Sequence, residues 1–141
     1  MNRYILAIIP FTFFIFSGCK KDSKKTADIL TSKTWKIGLT DKNPSTNPQG
    51  SIMYNPAPNC TMDDTFKFGP DGKLVLNRNT EKCGQNELQT ETQTYTINRA
   101  TKKLTIDGME FNLAEESNIQ IKYYAAIPST TGFVNMIFLL Q

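Results

Sequence analysis

The segment from Cys60 to Cys83, CTMDDTFKFGPDGKLVLNRNTEKC, constrains the fold more than any other stretch of the chain. Phe66 and Phe68 before the turn, and Leu74 and Leu76 after it, alternate with polar neighbours at the period of a half-buried strand. Pro70-Asp71-Gly72 supplies the reversal between them. Both cysteines fall just outside these strands at similar distances from the turn, so pairing the strands brings the two thiols together. The spacing predicts a β-hairpin tied at its open end, with the domain built outward from it.

The rest of the chain repeats the pattern. Trp35, Ile37 and Leu39 alternate through a first strand, and a Thr-rich strand from Leu88 to Asn98 ends on Tyr95 and Ile97. Strands at Lys103–Ile106 and Met109–Leu113 flank Asp107-Gly108, a dipeptide that accepts the positive φ angles of a type I′ turn. Ser117 to Ala125 alternates through Ile119, Ile121 and Tyr123, and a last apolar strand runs from Phe133 to Leu140. Ahead of them, Thr26 to Lys33 can form one or two helical turns capped by Thr26. Asp41 to Asn59 carries four prolines and is the longest irregular stretch, with room for a short strand at Ile52–Tyr54. The expectation is an all-β domain of about eight strands, an antiparallel up-and-down meander closing into a barrel behind a short N-terminal helix. A two-sheet sandwich has the same strand count, and the lack of a long crossover after residue 60 favours the barrel.

Residues 1–18 lie outside that domain. One Arg3 precedes an apolar run from Tyr4 to Phe16, closed by Ser17 and Gly18, in the order of a secretory signal. The run of roughly 13 residues is too short for a membrane span, which takes about 20. Phe16-Ser17-Gly18-Cys19 resembles the lipobox of bacterial lipoproteins. The resemblance implies cleavage before Cys19 and acylation of its thiol and new amino terminus. Acyl chains in that number anchor a protein stably to a bilayer without spanning it. Lys20 stands where the inner-membrane retention signal has Asp, which points to the outer membrane, and residues 19–25 read as a charged tether to a domain at 26–141.

With Cys19 assigned to lipid, Cys60 and Cys83 remain, an even number in an oxidising compartment. A disulfide is the expected pairing. Two free thiols or a redox pair are the other reading, and the close CxxC spacing of redox pairs is absent.

Together these features resemble the small lipocalin-like lipoproteins of Gram-negative bacteria: Cys60-x-x-Asp-Asp-x-Phe-x-Phe-x-x-Asp-Gly72, the second cysteine at Cys83, and Gln89-Thr-Glu-Thr92. The resemblance implies a lipocalin-type antiparallel barrel. The lipocalin Gly-x-Trp signature is represented here by Lys33-Thr34-Trp35, without the glycine.

Composition narrows the function. Of 16 basic residues, five lie in the first 25; from Thr26 onward 11 basic residues face 12 acidic ones, so the domain has no basic footprint for nucleic acid. Histidine is absent, which removes the commonest general base and metal ligand. Asp63-Asp64 lacks the spaced oxygens of a calcium loop, and Asp64 reads as a strand-entry or turn acceptor. Glu115-Glu116 reads as a solvated turn; Glu91 and Gln93 share a face with Tyr95, which would put them near the mouth of a ligand-binding barrel, but a solvated strand end is the favoured reading.

No cofactor or metal is expected, and the chain reads as non-enzymatic. The leading expectation is binding of a small apolar ligand against Trp35, Phe68, Tyr95, Phe111 and Tyr123. The alternative is a filled barrel, with the Asp41–Asn59 loop contacting an envelope protein or glycan.

Overall fold

A computed structural model describes residues 28–141. The expected signal segment, the expected lipidation at Cys19, the charged tether and the expected Thr26 cap lie outside the described residues. Nine strands follow one another: β1 Trp35–Lys36, β2 Ile52–Tyr54, β3 Thr65–Phe68, β4 Lys73–Asn77, β5 Thr90–Asn98, β6 Lys103–Ile106, β7 Met109–Glu116, β8 Ile121–Ser129 and β9 Gly132–Leu140. They form one sheet in the order β1-β3-β4-β5-β6-β7-β8-β9-β2, curled into a half-barrel. From β3 to β9 it is the expected antiparallel meander.

The turn chemistry is as the residues dictate. Asp107 and Gly108 adopt φ of 48° and 82°, which a tight two-residue reversal requires, and Ile106 pairs with Met109 across it. In the β3–β4 hairpin Phe66 faces Leu76 and Phe68 faces Leu74. The Cys60–Cys83 disulfide closes the open end, with Cα atoms 5.1 Å apart. Within it, Asp63 rather than Asp64 is the turn acceptor: Asp63 Oδ2 takes the Thr80 and Glu81 N–H groups at 2.8 and 3.1 Å. Asp64 is instead buried, with Oδ1 unpartnered, and burial raises its carboxyl above the usual range.

Among the described residues the expected short N-terminal helix is not formed. Residues 28–32 make a single turn, with Thr31 and Ser32 N–H donating to Asp28 O and Ile29 O. The Thr31 and Ser32 hydroxyls donate to the same two carbonyls, and the Trp35 indole N–H donates to Leu30 O at 2.8 Å. Side-chain bonds thus compete with the backbone for these acceptors, and one turn alone is too short to propagate. The turn instead delivers Leu30 into the core, fully buried like Trp35. Lys33 lays its ammonium 4.2 Å from the Trp35 ring centroid.

Two further expectations shift. The first strand ends early, leaving Leu39 65% exposed, and β8 begins at Ile121, leaving Ile119 61% exposed. Ser117 and Gln120 close a turn there, Ser117 Oγ donating to Gln120 O and accepting from Gln120 N–H.

The inner face carries one apolar cluster, including Trp35, Phe68, Leu74, Leu104 and Ile121, all nearly or fully buried. Two aromatic groups fill it. Phe68 meets Tyr95 edge-on at 4.9 Å; Phe111, Tyr123 and Phe138 form a trio with centroids 5.2 to 5.6 Å apart. Each such contact contributes about 0.5–1.5 kcal/mol beyond area burial.

Candidate functional site

The outer edge of β9 changes partner along its length. Toward its end it meets the first strand: Lys36 and Gln141 exchange both backbone bonds at 2.9 and 2.8 Å, Ile37 bridges Leu140, and Gly38 N–H donates to Leu139 O. Further back the same edge is taken by β2, which runs parallel to it and pairs Ile52 with Asn135 and Tyr54 with Ile137. Asn55 N–H then donates to Ile137 O at 2.7 Å. Between Gly38 and Asn55 the wall has a gap.

A pocket of about 420 Å³ occupies this gap. Ile37, Gly38 and Leu39 line one side, Tyr54 to Ala57 the other, and Ile137 to Leu140 the floor. Phe66, Tyr123 and Phe138 reach it from the inner face of the sheet. The volume is at the lower end of the range for small-molecule sites. None of its lining residues carries a formal charge near neutral pH; Tyr54 and Tyr123 are the only ones that titrate.

The Tyr54 side of the pocket is fixed from behind. Lys122, on the outer face of β8, is fully buried beneath the loop from Asp41 to Asn47. Its ammonium reaches Asp41 Oδ2 (2.8 Å), Asn43 O (2.7 Å), Thr46 Oγ1 (2.9 Å) and Asn47 Oδ1 (2.7 Å). Gln120, equally buried, donates to Asp41 Oδ1 and Glu115 Oε2 and accepts from Lys42 N–H and Gln141 Nε2. The Tyr54 hydroxyl donates to Asp41 Oδ2 at 2.8 Å and accepts from Asn47 Nδ2 at 3.0 Å. Burial raises the Asp41 carboxyl, but the bonds from Lys122, Asn43 N–H, Gln120 and Tyr54 outweigh it and hold the pKa at about 2. Burial pushes the Tyr54 phenol above its ordinary range, and Asp41 adds to this.

The five aromatic candidates are divided among different places. Trp35 and Phe68 are sealed in the core. Tyr95 is tied by its hydroxyl to Gly69 O at 2.7 Å and lines a broad groove of about 820 Å³ beneath the N-terminal turn. Phe111 packs against Tyr123, and Tyr123 alone of the five lines the side pocket. The groove is larger, but its charged rim is satisfied internally: Arg99 binds both Glu116 oxygens and Asp28. Glu91 pairs with Arg78 at 2.7 Å and accepts from Gln93, away from both cavities. Glu115 and Glu116 are engaged with Thr46, Gln120 and Arg99 rather than solvated.

Sequence periodicity did not point to Gly38, the Tyr54–Ala57 segment, Ile137 or Leu139. The signal for Tyr54–Ala57 is the proline-rich stretch, which marks a loop but not what it covers. Among the described residues no group of three or more His, Cys, Asp or Glu could hold a metal, and no helix is long and apolar enough to cross a membrane. The chain matches no protein-family model, no curated protein and no solved structure.

Proposed function

We propose that this protein is a lipocalin-like envelope lipoprotein that binds a small apolar molecule, without catalysis, at a side opening in its barrel wall. The observation that carries the reading is the charge-free pocket of about 420 Å³ between Gly38 and Asn55, which opens onto the interior pair Tyr123 and Phe138. Concave, largely apolar pockets with few polar groups are the usual form of small-molecule sites. Acylation of Cys19 anchors the domain to the outer membrane, and the meander completes its barrel through the contact of the first and last strands.

The test is displacement of a neutral fluorescent apolar probe, N-phenyl-1-naphthylamine, with native mass spectrometry of the purified protein. Ala57→Trp, which fills the pocket from its outer lip, abolishes displaceable binding while leaving the thermal midpoint within a few degrees. Binding that survives Ala57→Trp sinks the reading. The anchor is tested separately: Cys19→Ala loses the acylated mass and no longer partitions with membranes.

A second reading has its own observation. Ile52, Met53 and Tyr54 of β2 are 39 to 42% exposed on a strand with one unpaired edge. Such an edge suits an envelope protein that adds a strand.

A further inference from the structure

We infer that the side pocket selects neutral apolar molecules carrying one hydrogen-bond acceptor, which the hydroxyl of Tyr123 engages. The inference rests on the binding reading above and adds the chemical class of the ligand.

Tyr123 is 9% exposed and stacks flat on Phe138 at 5.2 Å with an interplanar angle of 6°. Phe111 also meets the ring, 5.2 Å away and steeply inclined to it, so packing in the aromatic trio fixes its direction. Its hydroxyl takes part in no side-chain hydrogen bond among the described residues. The polar side-chain atoms sealed without a partner are Asp63 Oδ1 and Asp64 Oδ1; the Tyr123 hydroxyl is not among them and therefore keeps access to the outside. Tyr123 lines the side pocket, so the pocket is where that hydroxyl can meet a partner. A hydroxyl that lines a pocket and bonds to no protein side chain is free to donate to the acceptor of a ligand.

The same lining decides the ligand's charge. The other phenol, Tyr54, has its hydroxyl committed to Asp41 and Asn47. Lys122, next to Tyr123 in the chain, lies on the opposite face of β8 and spends its ammonium on four protein acceptors. A carboxylate entering the pocket would lose its hydration with no cation to receive it, and an ammonium would find no free anion. Burial drives the Tyr123 phenol above its ordinary range, which keeps it a donor throughout the neutral range. A carbonyl, ester or ether oxygen on an apolar body fits these terms.

Three probes of one size separate the possibilities: acetophenone (neutral, with an acceptor), ethylbenzene (neutral, without one) and benzoate (anionic). Each is titrated by NMR into the wild-type protein and into Tyr123→Phe, which removes only the unpartnered hydroxyl and keeps the ring packing. The expected result is that acetophenone binds wild type about 3- to 10-fold more tightly than Tyr123→Phe. Ethylbenzene binds both alike, and benzoate binds at least about tenfold more weakly than acetophenone. Equal affinity of acetophenone for both proteins, or benzoate binding as tightly as acetophenone, overturns the inference while leaving an apolar pocket in place. Failure of all three probes to bind overturns both the inference and the binding reading beneath it.

Discussion

Lys122 Nζ lies 2.8 Å from Asp41 Oδ2, with the lysine side chain wholly withdrawn from solvent and the aspartate 6% exposed. Removing one partner of such a pair leaves the other charge stranded, at a cost of about 3–5 kcal/mol. Asp41→Ala strands the ammonium among neutral acceptors. Lys122→Met leaves a carboxylate that still receives the Asn43 and Gln120 N–H groups and the Tyr54 hydroxyl. Asp41→Ala is therefore the more destabilising of the two in urea denaturation, and it also weakens probe binding, because Tyr54 loses its acceptor. Equal losses from the two variants would contradict this ordering.

Acid should release the same loop. The folded Asp41 pKa of about 2 is depressed from an ordinary value of 3.8. Its contribution is fully present above pH 4 and is lost as pH falls through the folded value. The shift corresponds to about 2 kcal/mol at neutral pH, most of it gone by about pH 2.5. Asp64 works in the opposite sense: its pKa is raised, so protonation favours the folded form and offsets part of the acid loss. Unfolding free energies at neutral and acid pH should fall less steeply for Asp41→Asn than for wild type, by about the same 2 kcal/mol. Parallel slopes would show that Asp41 does not set this window.

The contrast between Asp107-Gly108 and Lys122 shows what could be read from the chain. The first is a local signal, because two adjacent residues dictate the turn and the turn dictates the register of β6 on β7. The central hairpin and its disulfide are legible for the same reason. Lys122 lies in the alternating run Ile121-Lys122-Tyr123, and alternation assigns a lysine there to solvent. That assignment of face is right, yet the face is covered by a loop some 80 residues earlier, whose acceptors Asp41, Asn43, Thr46 and Asn47 look like ordinary turn residues. Nor does anything local state that the three residues of β2 run parallel to a strand 83 positions away. The side pocket depends on both of these long-range choices, so the meander was readable and the site was not.

The Cys60–Cys83 bond encloses both strands of the central hairpin. A loop of this length restricts the unfolded chain by about 3 kcal/mol in the entropy model. Asp63 and Glu87 also bind the Thr80, Glu81 and Cys83 N–H groups, so the loop keeps a local scaffold without the bond. Reduction, or the double change of both cysteines to serine, should lower unfolding free energy by about 3 kcal/mol and leave the near-ultraviolet signature of the native core intact at low denaturant. Loss of that signature on reduction would show the bond to be needed for folding itself.

Gly38 offers the sharpest test of the junction between the first and last strands. A Cβ at this position would lie 2.7 Å from Gln141 Cδ and 2.8 Å from its Cγ. The Gln141 side chain is not free to swing away, since its amide donates to Thr40 O at 2.6 Å and Gln120 Oε1 at 2.9 Å. Gly38→Ala must either break those bonds or push the first strand off β9, and overpacking of this kind costs about 1–3 kcal/mol. The double variant Gly38→Ala with Gln141→Ala removes the clash and should recover part of the loss, whereas additive losses would place the cause elsewhere. The junction borders the pocket, so the single variant should also weaken binding of a neutral probe more than the double variant does.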